Sequence, residues 1–298
     1  MLKFDKVGVT GGSGMLGQHL IALLKMKGVS IVDVRRDSWD LTNWKSKEEI
    51  NFLFQNVDAV FHFGAAIPSS AVPISTKKLF DTNARSCIAL AEWALGTNIP
   101  ISFVSSSTVY RDPHSLNIFE TDEKTAKNFG GLYGFSKLLA EQILSHYTAY
   151  GLKLVILRPS SIYGVGLGED KLVKNFLAKA ERAEVIELDS RVDAANAVNF
   201  VHASDVAWAA MRSLENAVWG EYNIPGPKCY TIEELAQSCV KLVKKGKVVI
   251  KEEGIEDSTP FVRFDLDYTN ARKVFGYEPS IDLEEGLSMI LNQIHIKS

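Results

Sequence analysis

The stretch that most limits how this chain can fold is Val7 to Gly17, which reads Val-Gly-Val-Thr-Gly-Gly-Ser-Gly-Met-Leu-Gly. A short apolar run breaks into Gly11, Gly14 and Gly17 at three-residue spacing. It then passes directly into Gln18 to Met26, where Leu20, Ile21, Leu23 and Leu24 supply an apolar face. This predicts a strand, a glycine turn and a helix. Glycine admits backbone angles that a Cβ forbids, and it lets an anion approach the first N–H groups of a helix, where the dipole favours negative charge. The functional reading is a pyrophosphate cradle for a dinucleotide; the alternative is a glycine-rich turn without a ligand. A second strand candidate at Val29 to Val34 favours the cradle.

The 298 residues suffice for one large α/β domain with an elaborated C-terminal part, or for two modest domains sharing an interface. With 46% hydrophobic and 23% charged residues the composition is that of a globular chain. A net charge of −3 supplies no basic field for nucleic acid or an acidic membrane, which favours a small-molecule partner. Cys87, Cys229 and Cys239 are odd in number and lack metal or redox spacing, so we expect packing roles in a reducing compartment and no metal site. No apolar run approaches membrane-spanning length and the first strand ends in glycines rather than a cleavage site, so a cytoplasmic location is expected.

Strand-like and helical runs alternate along the chain. Asp33, Arg35 and Arg36 stand where a ribose would be read: a carboxylate would bond the ribose hydroxyls of NAD, and an arginine would pair with the 2′-phosphate of NADP. The sequence leaves the two readings open. Asp40 and Leu41 precede a helix expected from Lys45 to Phe54, with Thr42 or Asn43 as its N-cap; Asp40 is either part of that cap or an adenine contact. A strand from Ala59 to Phe63 runs into Gly64, Ala65 and Ala66, small residues that allow close approach of a ring or sugar. His62 within it reads as a hydrogen-bonded core residue rather than a catalyst. Asn83, inside a helix expected from Lys77 to Leu95, either bridges backbone groups beneath the cofactor or faces solvent.

The strand beginning at Ile101 ends in the hydroxyls Ser105, Ser106, Ser107 and Thr108. Further on, Tyr133-Gly-Phe-Ser-Lys137 opens another helix, with tyrosine and lysine at i and i+4 on one face. An ammonium beside a phenol favours the phenolate and makes the tyrosine a usable acid or base near neutrality. A serine hydroxyl can hold the reacting oxygen.

Together these stretches resemble the extended short-chain dehydrogenase/reductases, in their NAD-dependent sugar-nucleotide epimerase/dehydratase group. The resemblance is carried by Thr10 to Gly17, Asp40-Leu41, His62 to Ala66, Asn83, Ser105 to Tyr110, Tyr133 to Lys137, Arg158 to Gly164, Phe200 to Val206 and Tyr222 to Ile224, in the family's order. It implies a Rossmann-type doubly wound parallel sheet over residues 1–165. A smaller C-terminal α/β substrate-binding lobe over 166–298 would follow, with about 198–215 returning to the first domain. It also implies NAD or NADP as cofactor, a sugar nucleotide as substrate, and a homodimer paired through the helix that carries the tyrosine and the one before it.

Carried over residue by residue, the resemblance makes Tyr133 the acid/base, with Lys137 lowering its pKa and holding the nicotinamide ribose. Ser106 would bind the reacting oxygen. Gly11, Ser13, Gly14, Met15, Leu16 and Gly17 would cradle the pyrophosphate. Phe63, Gly64 and Ala65 would line the cofactor cleft above Asn83, while Pro159, Ser160 and Ile162 would border the nicotinamide. Ser107, Thr108 and Ser161 would face the substrate.

The departures narrow the reaction. Family dehydratases carry an acidic pair where this chain has Ser107 and Thr108, so loss of water is disfavoured. Ser161 replaces a common asparagine, and Ala197, Val198 and Asn199 occupy the place of an arginine that helps hold the nucleotide diphosphate; Arg182, Arg191 or Arg263 would have to supply charge from elsewhere. Downstream, Ser204 or Asp205 is expected to cap a helix from Val206 to Leu214, and Thr231 with Glu234 forms a capping-box pattern. The expectation is an epimerase that oxidises its substrate to a ketone and returns the hydride to the other face. A reductase of a keto-sugar nucleotide or small carbonyl compound, using NADPH, is the alternative, and a catalytically silent cofactor-binding protein the remaining one.

Overall fold

The β-branched runs become short strands in the computed structural model, which describes residues 3–68, 73–112, 114–251 and 262–297. Along the chain the strands are β1 (Lys6–Thr10), β2 (Ser30–Val34), β3 (Ala59–His62), β4 (Ile101–Val104), β5 (Leu154–Pro159) and β6 (Ser161–Tyr163), followed by β7 (Val185–Leu188), β8 (Ala197–His202), β9 (Gly220–Ile224), β10 (Cys229–Thr231), β11 (Lys247–Ile250) and β12 (Arg263–Phe264). The α-helices are α1 (Met15–Met26), α2 (Lys47–Leu53), α3 (Thr76–Phe80), α4 (Ser86–Thr97), α5 (Gly131–Thr148) and α6 (Leu172–Glu181), then α7 (Arg191–Ala195), α8 (Ala203–Glu215), α9 (Ile232–Val243), α10 (Thr269–Phe275) and α11 (Leu283–Lys297).

Six strands form one parallel sheet in the order β2-β1-β3-β4-β5-β9. Helices cover both faces, so β3, β4 and β5 are buried at every position and read as continuous apolar runs rather than alternating ones. One face packs on α1 and α8 through Leu20, Leu24, Val206 and Ala210; the other packs on α4 and α5 through Leu90, Trp93, Ala140 and Leu144. The partners of β1 lie on opposite sides of it, which opens a crevice at the carboxyl ends of β1 and β3, where ligands of such sheets bind. There Gly11 has φ +73°, and a Cβ on it would come within 2.6 Å of the Gly64 nitrogen.

The smaller layer consists of β8 flanked by β10 and β12, with β6 pairing β8, and a separate β7–β11 pair. Leu177, Ile186, Leu235, Cys239, Leu287 and Ile290 build its core beneath α6, α9 and α11. Two later segments cross back to the large sheet: α8 packs on α1, and β9 becomes the sixth strand. β8 itself lies in the smaller layer.

Several expected boundaries move for local reasons. α1 starts at Met15, immediately after the glycines. Ser46 caps α2 through a capping box with Glu49, in place of Thr42 or Asn43. The helix expected over Lys77 to Leu95 is broken by a π-helical turn at Asp81–Arg85, which separates α3 from α4. The cap of α8 is His202, whose ring accepts the Ser204 N–H at 3.3 Å, while Asp205 accepts from the Ser280 hydroxyl at 2.6 Å. The Thr231–Glu234 capping box forms as the pattern predicts. Among the described residues no helix is long and apolar enough to cross a membrane.

Candidate active site

The β1–α1 turn leaves the head of α1 open. Gly14, the N-cap, has extended backbone and no side-chain cap bond, so the N–H groups of Met15, Leu16 and Gly17 begin the helix without intrahelical acceptors. Gln18 Nε2 donates to the Ser13 carbonyl at 2.9 Å and closes the turn. Beside it, Asp33 points its side chain at the glycines: a Cβ on Gly12 would lie 2.1 Å from Oδ1. That oxygen is buried and has no hydrogen-bond partner, whereas Oδ2 accepts from Arg35 Nε at 2.7 Å. Arg35 is exposed and turned back onto Asp33, and Arg36 is also exposed. The structure therefore brings the carboxylate, not a guanidinium, to the glycine turn.

Asp40 closes a turn on Thr42, accepting its N–H at 2.9 Å and its hydroxyl at 2.8 Å, and these bonds hold the carboxyl below the usual range. Leu41 fills the space a Cβ on Gly64 would take. Asn83 is buried in the π turn and exchanges two bonds with Ala66: Oδ1 accepts its N–H at 2.7 Å and Nδ2 donates to its carbonyl at 2.9 Å. Nδ2 also donates to the Ser136 hydroxyl at 2.9 Å, which donates to the Tyr133 carbonyl at 2.7 Å. Asn83 thus ties the loop after β3 to the first turn of α5, and an inserted residue in the helix aims it there. Ser136 is a participant that reading the sequence missed, since only the packing of α5 against the π turn brings it to Asn83.

Ser106 stands after β4 in extended backbone, and its Oγ accepts the Thr108 hydroxyl at 2.9 Å and the Thr108 N–H at 3.2 Å. The Tyr133 side chain lies near enough to Ser106 for its hydroxyl to favour the phenolate. Of the neighbouring serines, Ser105 and Ser107 are buried, so Ser106 is the one that meets the tyrosine. Lys137 is 2% exposed and lies with Nζ 4.3 Å from the Phe103 ring centroid. Burial pulls the ammonium down to about 8, against the neighbouring Cys87 sulfur and the Glu141 carboxylate. Burial also pushes the Tyr133 phenol up to about 12, opposed by the bond with Ser106. A cleft of about 500 Å³ opens beside Tyr133 between Ile67, Ile74, Leu79 and Leu132.

At the end of β5, Pro159 is followed by Ser160, whose hydroxyl donates to Asn199 Oδ1 at 2.7 Å and whose N–H donates to the Ile224 carbonyl at 3.3 Å. Ser161 is exposed on β6, and Ile162 packs on the core of the large sheet. Asn199 also accepts the Gly226 N–H at 2.6 Å and so staples β8 to the turn after β9. His62 is a core residue: Nδ1 bonds the Thr10 hydroxyl at 2.8 Å, and burial lowers the ring to about 3. Of the arginines that would have to supply charge, Arg182 pairs with Glu184, while Arg191 and Arg263 are exposed.

A family model described as the NAD dependent epimerase/dehydratase family matches residues 7–224. The chain is 26% identical to UDP-glucuronic acid decarboxylase 6 of Arabidopsis thaliana, over 97% of this chain and 88% of that protein. It is 24% identical to the dTDP-4-dehydro-6-deoxy-D-allose reductase of Streptomyces bikiniensis, over 91% and 90% of the two chains. A solved UDP-glucose 4-epimerase with UDP-glucose from Thermotoga maritima has the same fold, with a TM-score of 0.83 at 22% identity over 98% and 99% of the chains. These three relatives differ in the reaction their names describe.

Proposed function

The chain belongs to the NAD dependent epimerase/dehydratase family, and on that footing we propose that it epimerises a sugar nucleotide through a transient keto intermediate. The observation that carries this reading is the Tyr133–Ser106 hydroxyl pair, set beside a buried lysine and at the mouth of a cleft. The residues present fit a dinucleotide. Met15, Leu16 and Gly17 would offer N–H groups to the pyrophosphate, and the unpartnered Asp33 Oδ1 suits a ribose hydroxyl better than a 2′-phosphate, whose charge it would repel. NAD held there supplies reversible hydride acceptance. Ser106 would hold the reacting oxygen, and Tyr133 would receive or give the proton at that oxygen. Lys137 would donate to the nicotinamide ribose.

Ser107 and Thr108 offer no carboxylate, which weighs against elimination of water. The C-terminal lobe, residues 166–298, would bind the rest of the substrate, with Ser161 at its entrance, and two copies would pair through α4 and α5. A reductase is the second reading, supported by the two arginines next to Asp33.

The test is a panel of sugar nucleotides, alcohols and ketones assayed without added cofactor, with products identified by NMR. Epimer formation that stops in Tyr133→Phe is expected. Turnover only on adding NADPH, or full turnover by Tyr133→Phe, contradicts the reading.

A further inference from the structure

Glu141 follows Lys137 by four residues and Tyr133 by eight, so all three lie along one face of α5. Its carboxylate is 3% exposed and takes both arms of a fully buried guanidinium. Arg158 Nε donates to Oε1 at 2.9 Å, and Nη2 donates to Oε2 at 2.7 Å. Arg158 belongs to β5 and immediately precedes Pro159, at the strand end expected to border the cofactor.

The same guanidinium reaches three more segments. Nη1 donates to the Tyr110 hydroxyl at 3.2 Å and to the Glu120 carbonyl at 3.1 Å, and Nη2 pairs with Glu221 of β9. Tyr110 comes four residues after Ser106 and is fixed in turn, donating to Asn223 Oδ1 at 2.6 Å. One side chain therefore joins the helix that carries Tyr133 to the turn that carries Ser106.

We propose that Arg158 and Glu141 are positioning residues that hold Ser106 and Tyr133 at the separation at which both can bond one substrate oxygen. The inference rests on the reading of those two hydroxyls as the reacting pair. Its physical basis is the planar fork of arginine, which fixes direction as well as distance where a lysine would supply only a point charge. Burial of such a pair adds little stability over an apolar replacement, so geometry is the stronger reason for its presence. A displacement of about 1 Å between reacting groups costs about 100-fold in rate.

Charge gives a readout that simple loosening would not. Glu141 raises the Lys137 ammonium, against its burial. The other titratable groups facing this cluster are His62 of β3 and Cys87 of α4 on the Lys137 side, with Tyr110, Lys124 and Glu221 on the Arg158 side. Loss of the Glu141 charge shifts the pH midpoint of kcat down.

The experiment uses the full-length protein and the substrate found by the panel, measuring kcat, KM, bound cofactor and pH dependence. Arg158→Lys is expected to lower kcat by about 10- to 100-fold with cofactor content retained and KM changed by less than about threefold. Glu141→Gln should move the pH midpoint of kcat down. The double variant Glu141→Leu with Arg158→Met leaves no lone buried charge, so it should fold and keep the low kcat. Unchanged kcat in Arg158→Lys and in the double variant overturns the inference. So does failure of all these variants to fold, since the pair would then staple the whole domain. Tyr133→Phe, assayed alongside, separates the two proposals: full activity in that variant refutes the acid/base reading itself.

Discussion

Gly17→Ala tests whether the glycine turn is a built cradle, and the structure gives the size of the effect. A methyl carbon at Gly17 would meet the Gly11 carbonyl oxygen at 2.2 Å and the Gly12 Cα at 2.7 Å. Both are backbone atoms, and ordinary contact begins only near 3.4 Å. The turn must therefore yield by roughly 1 Å at the place where its N–H groups converge, and overpacking of this kind costs about 1–3 kcal/mol. Where that energy is lost from the bound state, each 1.4 kcal/mol is about tenfold in affinity. Gly28 is the control: its φ is +74°, but an added Cβ meets nothing within 4 Å, so alanine there brings backbone strain without moving the turn. Calorimetric titration with NAD, together with thermal unfolding of both variants, reads the difference. Gly17→Ala should weaken NAD binding about 10- to 100-fold, whereas Gly28→Ala should lose stability and bind as the parent does. Equal NAD affinity in Gly17→Ala and the parent would refute the cradle.

Three further outcomes follow from single side chains. Lys137 is held near 8 against an ordinary 10.5, so the folded state carries a penalty that is complete below pH 8 and gone above 10.5; Lys137→Met should abolish turnover while raising unfolding stability at pH 7 by about 3 kcal/mol, a gain that disappears in alkali. His62 is buried uncharged, lowered to about 3 from 6.5, so folding stability falls as pH drops through that window; His62→Leu should take up about one fewer proton on unfolding there, measurable from urea denaturation at a series of pH values. Asp33→Ser, which leaves Arg35 without its partner, should shift preference from NAD toward NADP by about tenfold or more, since a desolvated carboxylate no longer repels the 2′-phosphate; unchanged preference in paired binding titrations contradicts the ribose reading of Asp33.

What was legible in the sequence was local. The glycine turn and the Thr231–Glu234 box express local contacts, the Tyr133–Lys137 spacing places two residues on one helix face, and the strands of the large sheet are marked by apolar runs that burial on both faces demands. Contacts between distant segments left no such pattern. Nothing near Asn83 announces the π turn that swings it under Ala66, and Ser136 gains its role only when α5 is laid against that turn. The same holds for Arg158, whose partners Glu141, Tyr110, Glu120 and Glu221 come from four separate segments. Spacing places Lys137 and Tyr133 on one helix face, whereas the ring that the Lys137 ammonium meets, Phe103, comes from β4. Asp33 shows the opposite case. The sequence left it level with Arg35, and the packing of Gly12 against its Oδ1 separates them.

The most direct test of a retained, recycled cofactor is to denature the purified protein and identify and quantify the nucleotide it releases by mass spectrometry. Near-stoichiometric NAD is the predicted result, matching the Asp33 site and an epimerase that takes back its own hydride. Release of NADP, or an empty protein that turns over only with added NADPH, would contradict the account and make the chain a reductase.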